Sequence, residues 1–328
     1  MTSTQDARER GSFAGIHALQ SREAGYAVAR ETLARQAAAE LVDPALRSES
    51  GVRLAPDAWS WYVGALGEIE VGALLSALGP HWMVRHAVPI GEGATDVDHL
   101  LVGPNGVFAL NTKRHLGADV WAGDHAMKVN GTIVHHLTNA QSEARQVAKR
   151  LGSKVGFPVT VHSAIVLVGA RRFVDSGNPA TRSTAVVSSA DVLQWIVTRP
   201  PVISPTSLQL VRLAAEEPDT WHVDPHAADT LRVMARFQRL RDEVGDTPPH
   251  PSKITAGIPM RPVRSSQARR PARRLPAPQP PRTGRGMTKP HRSRGEQLFW
   301  KIFFGVVGVP IMLFVGLVLI AELAAIPR

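Results

Sequence analysis

Hydrophobic and polar positions change period several times along this chain, and the changes mark its elements. From Ala58 to Leu78 almost every position is apolar and only Glu68 and Glu70 carry charge. That fullness and length predict a helix buried on most sides, with Asp57 as its N-cap and Gly79-Pro80 as its end. Short runs rich in β-branched and aromatic residues follow. Trp82 to Val88, Val97 to Val102, Val107 to Lys113 and Met127 to Val129 predict strands, the last closed by an Asn130-Gly131 turn. A polar helix is expected from about Asn139 to Leu151, and the unbroken apolar run Val161 to Val168 reads as a strand covered on both faces. Ala185 to Val187 predicts a short strand, with helices starting near Ser189 and covering Ser207 to Glu216 and Ala227 to Val244. Residues 16 to 41 intersperse Arg and Glu among Ala and Leu, the pattern of an exposed helix or helical hairpin. No internal repeat is visible. The sum is an α/β chain, a mixed sheet of hairpins and crossover strands flanked by helices.

The C-terminal end has a different character. Ile302 to Ala321 is 20 residues without a charge, which as a helix spans about 30 Å, the thickness of a bilayer's hydrocarbon core. The pattern predicts one transmembrane helix within residues 298–326, kinked rather than ended by Pro310. Arg292, Arg294 and Lys301 precede it and only Arg328 follows, so the positive-inside rule puts the preceding chain on the cytoplasmic side of a cell membrane. Residues 246–297 are rich in proline and arginine and hold too little apolar surface to offset the entropy of ordering, so they read as a disordered linker. The net charge of +10 belongs to this linker: residues 253–294 carry 12 of the 38 Lys and Arg and no Asp or Glu, leaving 26 basic against 28 acidic residues elsewhere. Such a segment suits anionic lipid headgroups beside the membrane, and equally nucleic-acid phosphates. The lack of cysteine excludes disulfides, a thiolate zinc site and a cysteine nucleophile. No basic region followed by an apolar run opens the chain, so no signal peptide is expected.

Chemistry concentrates between Glu68 and Glu143. If Pro104-Asn105 is a two-residue hairpin loop, Asp98 falls directly opposite Asn111, and Lys113 shares that face because side chains two apart in a strand point the same way. A three-residue loop with Gly106 in a bulge would shift the register by one. An acid, a second oxygen ligand and a lysine so arranged suit a divalent metal beside a phosphodiester. Glu68 sits among Trp61, Gly64, Ala65, Val71, Gly72 and Leu75 at helical spacing, and a carboxylate on an apolar face needs a cation, a metal or hydrogen bonds. Other signals are weaker. The histidines, His135-His136 among them, lack zinc spacing and read as surface or strand-end residues. Gly91-Glu92-Gly93 lacks the third glycine of a dinucleotide loop, and no Gly-x-Ser-x-Gly elbow is present.

Gly67-Glu68, then Asp96-Val97-Asp98-His99 with Gly103-Pro104-Asn105-Gly106-Val107-Phe108, then Asn111-Thr112-Lys113 and a helix from Asn139 together resemble the nuclease-related domain (NERD) family. That family is similar to the PD-(D/E)XK restriction-endonuclease-like superfamily. The resemblance spans roughly residues 64 to 170 and implies a restriction-endonuclease-like mixed sheet flanked by helices. It implies Asp98 as the metal acid, Lys113 as the catalytic lysine and Glu68 as the acid of the preceding helix; Glu143 falls where the family tends to have a glutamine, and Asp96, two residues before Asp98 on the same strand face, could add charge as an auxiliary group. Asn111 departs from the pattern, standing where the superfamily prefers Glu or Asp. Metal ligands would then be Asp98, Asn111 and Glu68, the cofactor Mg²⁺ or Mn²⁺, and the partner DNA. The rival is a degenerate domain acting as a membrane-tethered DNA-binding or protein-interaction scaffold. The expected divisions are an N-terminal helical region (1–56), a NERD-like domain (57–200), C-terminal helices (201–245), the linker (246–297) and the membrane helix (298–326).

Overall fold

The computed structural model describes residues 19–49, 51–90, 95–221 and 229–250. The expected transmembrane helix, nearly all of the expected basic linker and Gly91-Glu92-Gly93 lie outside the described residues. Among those described, no helix is long and apolar enough to cross a membrane.

The order along the chain is α1 (Tyr26–Val42), β1 (Arg47–Ser48), β2 (Gly51–Val52), α2 (Pro56–Leu75), β3 (Met83–Pro89), β4 (Asp96–Gly103), β5 (Gly106–Arg114), β6 (Asp119–Ala122), β7 (Met127–Val129) and β8 (Thr132–Val134). There follow α3 (His136–Val155), β9 (Val161–Val168), β10 (Arg172–Asp175), β11 (Thr184–Ser188), α4 (Val192–Val197), α5 (Pro205–Glu216) and α6 (Thr230–Val244). A five-stranded sheet runs β11-β9-β5-β4-β3, parallel from β11 to β5 and antiparallel from β5 to β3. A smaller sheet runs β10-β6-β7-β8, and β1 and β2 form a two-residue hairpin.

Alternation along the strands sorts the layers. Leu101, Phe108 and Leu110 pack with Val71 and Leu75 of α2 and with Val192 and Ile196 of α4. Leu100, Val102, Val107 and Ala109 point the other way and pack with Val147 and Leu151 of α3 and Val211 of α5. Strand β9 lies between β5 and β11, parallel to both, so its face toward α2 and its face toward α3 are each covered and every position from Ser163 to Val168 is buried. The polar helix α3 buries only Leu137, Ala140, Ala144, Val147 and Leu151, a stripe at helical spacing.

Several boundaries differ from expectation for local reasons. Helix α2 begins at Pro56 with Ala55 as its cap, because proline has no N–H to leave unsatisfied and its φ already suits a first turn; Asp57 lies inside that turn. The helix ends at Leu75, where Ser76 caps it, before the glycine-proline pair. Helix α1 is not simply exposed. Tyr26, Ala29, Thr32 and Gln36 bury one face, and Gln36 bonds the main chain at both Arg53 and Ala55. Strands β6, β8 and β10 have no counterpart in the sequence reading; each has only three or four residues, too few for alternation to register.

Candidate active site

The β4–β5 hairpin sets the register. Gly103 pairs with Gly106 across Pro104-Asn105, so the loop has two residues rather than a bulge. Gly106 has φ of 124°, a conformation suited to glycine. The Asn105 amide ties the loop down by donating to the carbonyls of Val197 and Arg199. Counting back, the ladder closes at His99–Leu110, and Asp98 and Asn111 are the next positions.

There the sheet opens on both sides of Asp98. Toward β5, the Asp98 carboxylate accepts the Thr112 backbone N–H at 2.5 Å. Toward β3, the flanking pairs His86–His99 and Val88–Val97 place Ala87 opposite, and Ala87 has left the ladder with φ of 48°. Its carbonyl accepts instead from the buried Arg22 guanidinium. A non-glycine residue there is strained by about 1–3 kcal/mol, and strain of this kind is held where surrounding structure over-determines it.

Glu68, Asp96, Asp98, Asn111, Lys113 and Glu143 come together around this opening. Asn111 and Glu143 touch directly: the Asn111 Nδ2 donates to Glu143 Oε2 at 2.8 Å. That bond orients the amide and leaves Asn111 Oδ1 buried without a partner. Glu68 Oε2 is likewise buried and unpartnered. Burial drives the Glu68 pKa well above the usual carboxylate range, with Asp98 and Asp96 adding to the rise and Lys113 and the Gly25 N–H opposing it. Burial and Asp98 push Asp96 up to about 7. Burial and Asp98 also push Glu143 up to about 7, against the Asn111 bond and Lys113. The Asp98 pKa is raised by burial, with Lys113 and the Thr112 N–H opposing. Lys113 makes no ion pair or hydrogen bond among the described residues, so its charge acts on the whole cluster rather than on one carboxylate. Helices α2 and α3 lie on opposite faces of the sheet, and the Asp98 charge raises the glutamate of each, Glu68 on one side and Glu143 on the other.

Sequence reasoning passed over four histidines. His86 and His99 face each other, Nδ1 to Nδ1 at 2.8 Å, and His99 Nε2 reaches Thr112 Oγ1 at 3.1 Å, behind the residue whose N–H holds Asp98. Burial lowers the pKa of both, to about 4 for His86 and well below the usual range for His99. His136 is not a plain surface residue either. It opens α3, and its ring stacks on His115 with centroids 5.4 Å apart and Nε2 atoms at 3.3 Å. No spacing rule links residues 13 or 21 apart, so only the folded chain shows these pairs.

No group of three or more His, Asp or Glu side chains stands arranged for a metal among the described residues. The donors present nonetheless fit a hard divalent cation. Two unpartnered buried oxygens and carboxylates raised chiefly by burial are what such an ion would satisfy, whereas each unpartnered oxygen costs about 1–3 kcal/mol while unmet. Residues 63–168 match the family model of the nuclease-related domain. No curated protein and no solved structure matches the chain.

Proposed function

Because residues 63–168 are a nuclease-related domain, we propose that the chain is a divalent-metal-dependent nuclease cutting DNA phosphodiester bonds, tethered by its C-terminal helix to the cytoplasmic side of a cell membrane. The observation that carries the reading is the pair of buried, unpartnered oxygens, Glu68 Oε2 and Asn111 Oδ1, beside the Asp98 carboxylate. Asp98, Glu68 and Asn111 would hold Mg²⁺ or Mn²⁺, and such an ion supplies Lewis-acid polarisation of a phosphate oxygen and a more acidic bound water. The other roles fall to the chain itself. Thr112 N–H fixes Asp98, and Glu143 takes the Asn111 N–H so that the amide oxygen is left toward the site. Lys113, unpaired among the described residues, orients the attacking water and offsets charge developing on the phosphate. The membrane tether rests on the uncharged run of 20 residues and the basic residues before it.

A second reading is favoured by Asn111 alone. An amide brings no negative charge to hold an ion, so the domain would grip DNA, or a protein partner, near the membrane without cutting. The two separate on incubation of the full chain with plasmid DNA. Nicking that requires Mg²⁺ or Mn²⁺ and is lost in Asp98→Ala and Lys113→Ala supports the nuclease. DNA retention without nicking under either ion supports the scaffold.

A further inference from the structure

We propose that the facing imidazoles of His115 and His136, beside Lys113, form a proton-linked docking point for a nucleic-acid phosphodiester group. The inference deepens the nuclease reading and rests on its placing DNA at the carboxylate cluster, but its test does not require cleavage.

His115 continues the line of β5, its N–H bonded to the Val168 carbonyl at 2.9 Å, and it lies two positions beyond Lys113, so the two side chains leave on one side. That side also carries Asn111 and is the face covered by α3, whose first residue is His136. Both rings are half-buried. The pair therefore lies beside Lys113 on the α3 side of the sheet, with no carboxylate among the described residues acting on either ring.

The contact itself has a chemical consequence. Two imidazole Nε2 atoms 3.3 Å apart can share one proton, one nitrogen donating and the other accepting. A second proton would oppose two N–H donors unless an anion accepted from both. The surroundings disfavour that proton in the free protein. Burial lowers both pKa values, and Lys113 lowers both further; His136 falls to about 3 with His115 and the exposed His135 contributing. Lys113, His135 and the two rings are the charged or titratable groups that act on the pair, and none is acidic. The missing partner is accordingly an anion. A phosphodiester oxygen set against both Nε2 atoms would accept from both, and its negative charge beside the rings would favour uptake of a proton from solvent by one of them, so affinity rises as pH falls.

The test uses the full chain in EDTA, so that no metal is present, with a rhodamine-labelled DNA duplex whose anisotropy is read from pH 8 to pH 5.5. Wild type is expected to bind about three- to tenfold tighter at the low end. Protonation of Glu143 and Asp96 also favours DNA at low pH, so the decisive quantity is the difference between wild type and variants. His136→Gln and His115→Gln are each expected to lose most of the gain. His136→Arg, which carries its charge at every pH, is expected to bind at pH 8 as wild type does at pH 5.5. The arginine-rich segment 253–294, with its single histidine His291, adds an attraction that is the same in wild type and variants and so cancels in the difference. Calorimetry in two buffers of different ionisation enthalpy counts the protons taken up, which simple loss of folding cannot mimic. Full pH-dependent tightening in both glutamine variants, or no DNA binding by wild type, overturns the proposal. Proton-linked binding without any Mg²⁺- or Mn²⁺-dependent cleavage would sink the nuclease reading alone; cleavage without the linkage would sink only the docking point.

Discussion

At the scale of single residues, the candidate site is held in a state of unmet demand. Burial and the Asp98 charge hold Glu143 and Asp96 near pKa 7, against ordinary values of 4.5 and 3.8. Between roughly pH 4 and 7 the native protein keeps protons that the unfolded chain has lost, so stability falls as pH rises through that window and levels above it. Glu143→Gln keeps an acceptor for Asn111 and removes the titrating group. It is expected to stabilise the metal-free protein at pH 8 by about 1–3 kcal/mol and to leave it nearly unchanged at pH 4, read by urea denaturation. A divalent ion should act in the same direction by another route. Saturating Mn²⁺ at pH 8 is expected to raise Tm by several degrees, since about 1 kcal/mol shifts Tm by roughly 2–4 °C, and Asp98→Asn should abolish the rise. Ala87 supplies an independent check on the opening of the sheet. With φ of 48°, Ala87→Gly is expected to be neutral or stabilising by up to about 1 kcal/mol. A β-branched Ala87→Val should cost about 2–3 kcal/mol in the same denaturation experiment.

At the scale of elements, glycines on α2 let a helix-borne carboxylate reach a strand-borne one. A Cβ at Gly67 would lie 2.9 Å from the Arg114 Cβ and 3.3 Å from the Thr112 Cγ2, and one at Gly72 would lie 2.3 Å from the Ala24 Cβ. Gly67→Ala is therefore expected to push α2 from β5, costing about 1–3 kcal/mol, and to weaken the Mn²⁺-linked rise in Tm because Glu68 is the next residue. A variant with unchanged stability and metal response would show that α2 does not need this close approach. Most elements were legible from the chain because they are long or strongly patterned: β9 matched the expected Val161–Val168, and the α3 stripe lay where the polar helix was read. The short strands β6, β8 and β10 were not, since three or four residues carry no period and are held by pairing.

At the scale of the whole molecule, positive charge is concentrated in residues 253–294 and the rest of the chain is near neutral. Removing residues 298–326 is expected to move the chain from the membrane pellet to the supernatant of a cell lysate while leaving metal-dependent cleavage intact. Cleavage lost together with the membrane association would mean that the terminal segment does more than tether. Removing residues 253–294 should flatten the salt dependence of DNA binding if the linker contacts phosphates, and should leave it unchanged if the linker serves anionic lipid instead.

Local chemistry along the chain was enough to single out Asp98, Asn111, Lys113 and Glu68 as candidates and to narrow the hairpin to two registers, because turn residues and a period of two are properties of neighbouring residues; the pairing of Gly103 with Gly106 chose between them. The common action of Asp98 on Glu68 and Glu143, the withdrawal of Ala87, the two unpartnered oxygens and both histidine pairs were decided only by tertiary structure. Each depends on which backbones pack against which, and burial sets both the pKa values and the hydrogen bonds left unmade. A residue's type is local, but its desolvation is not.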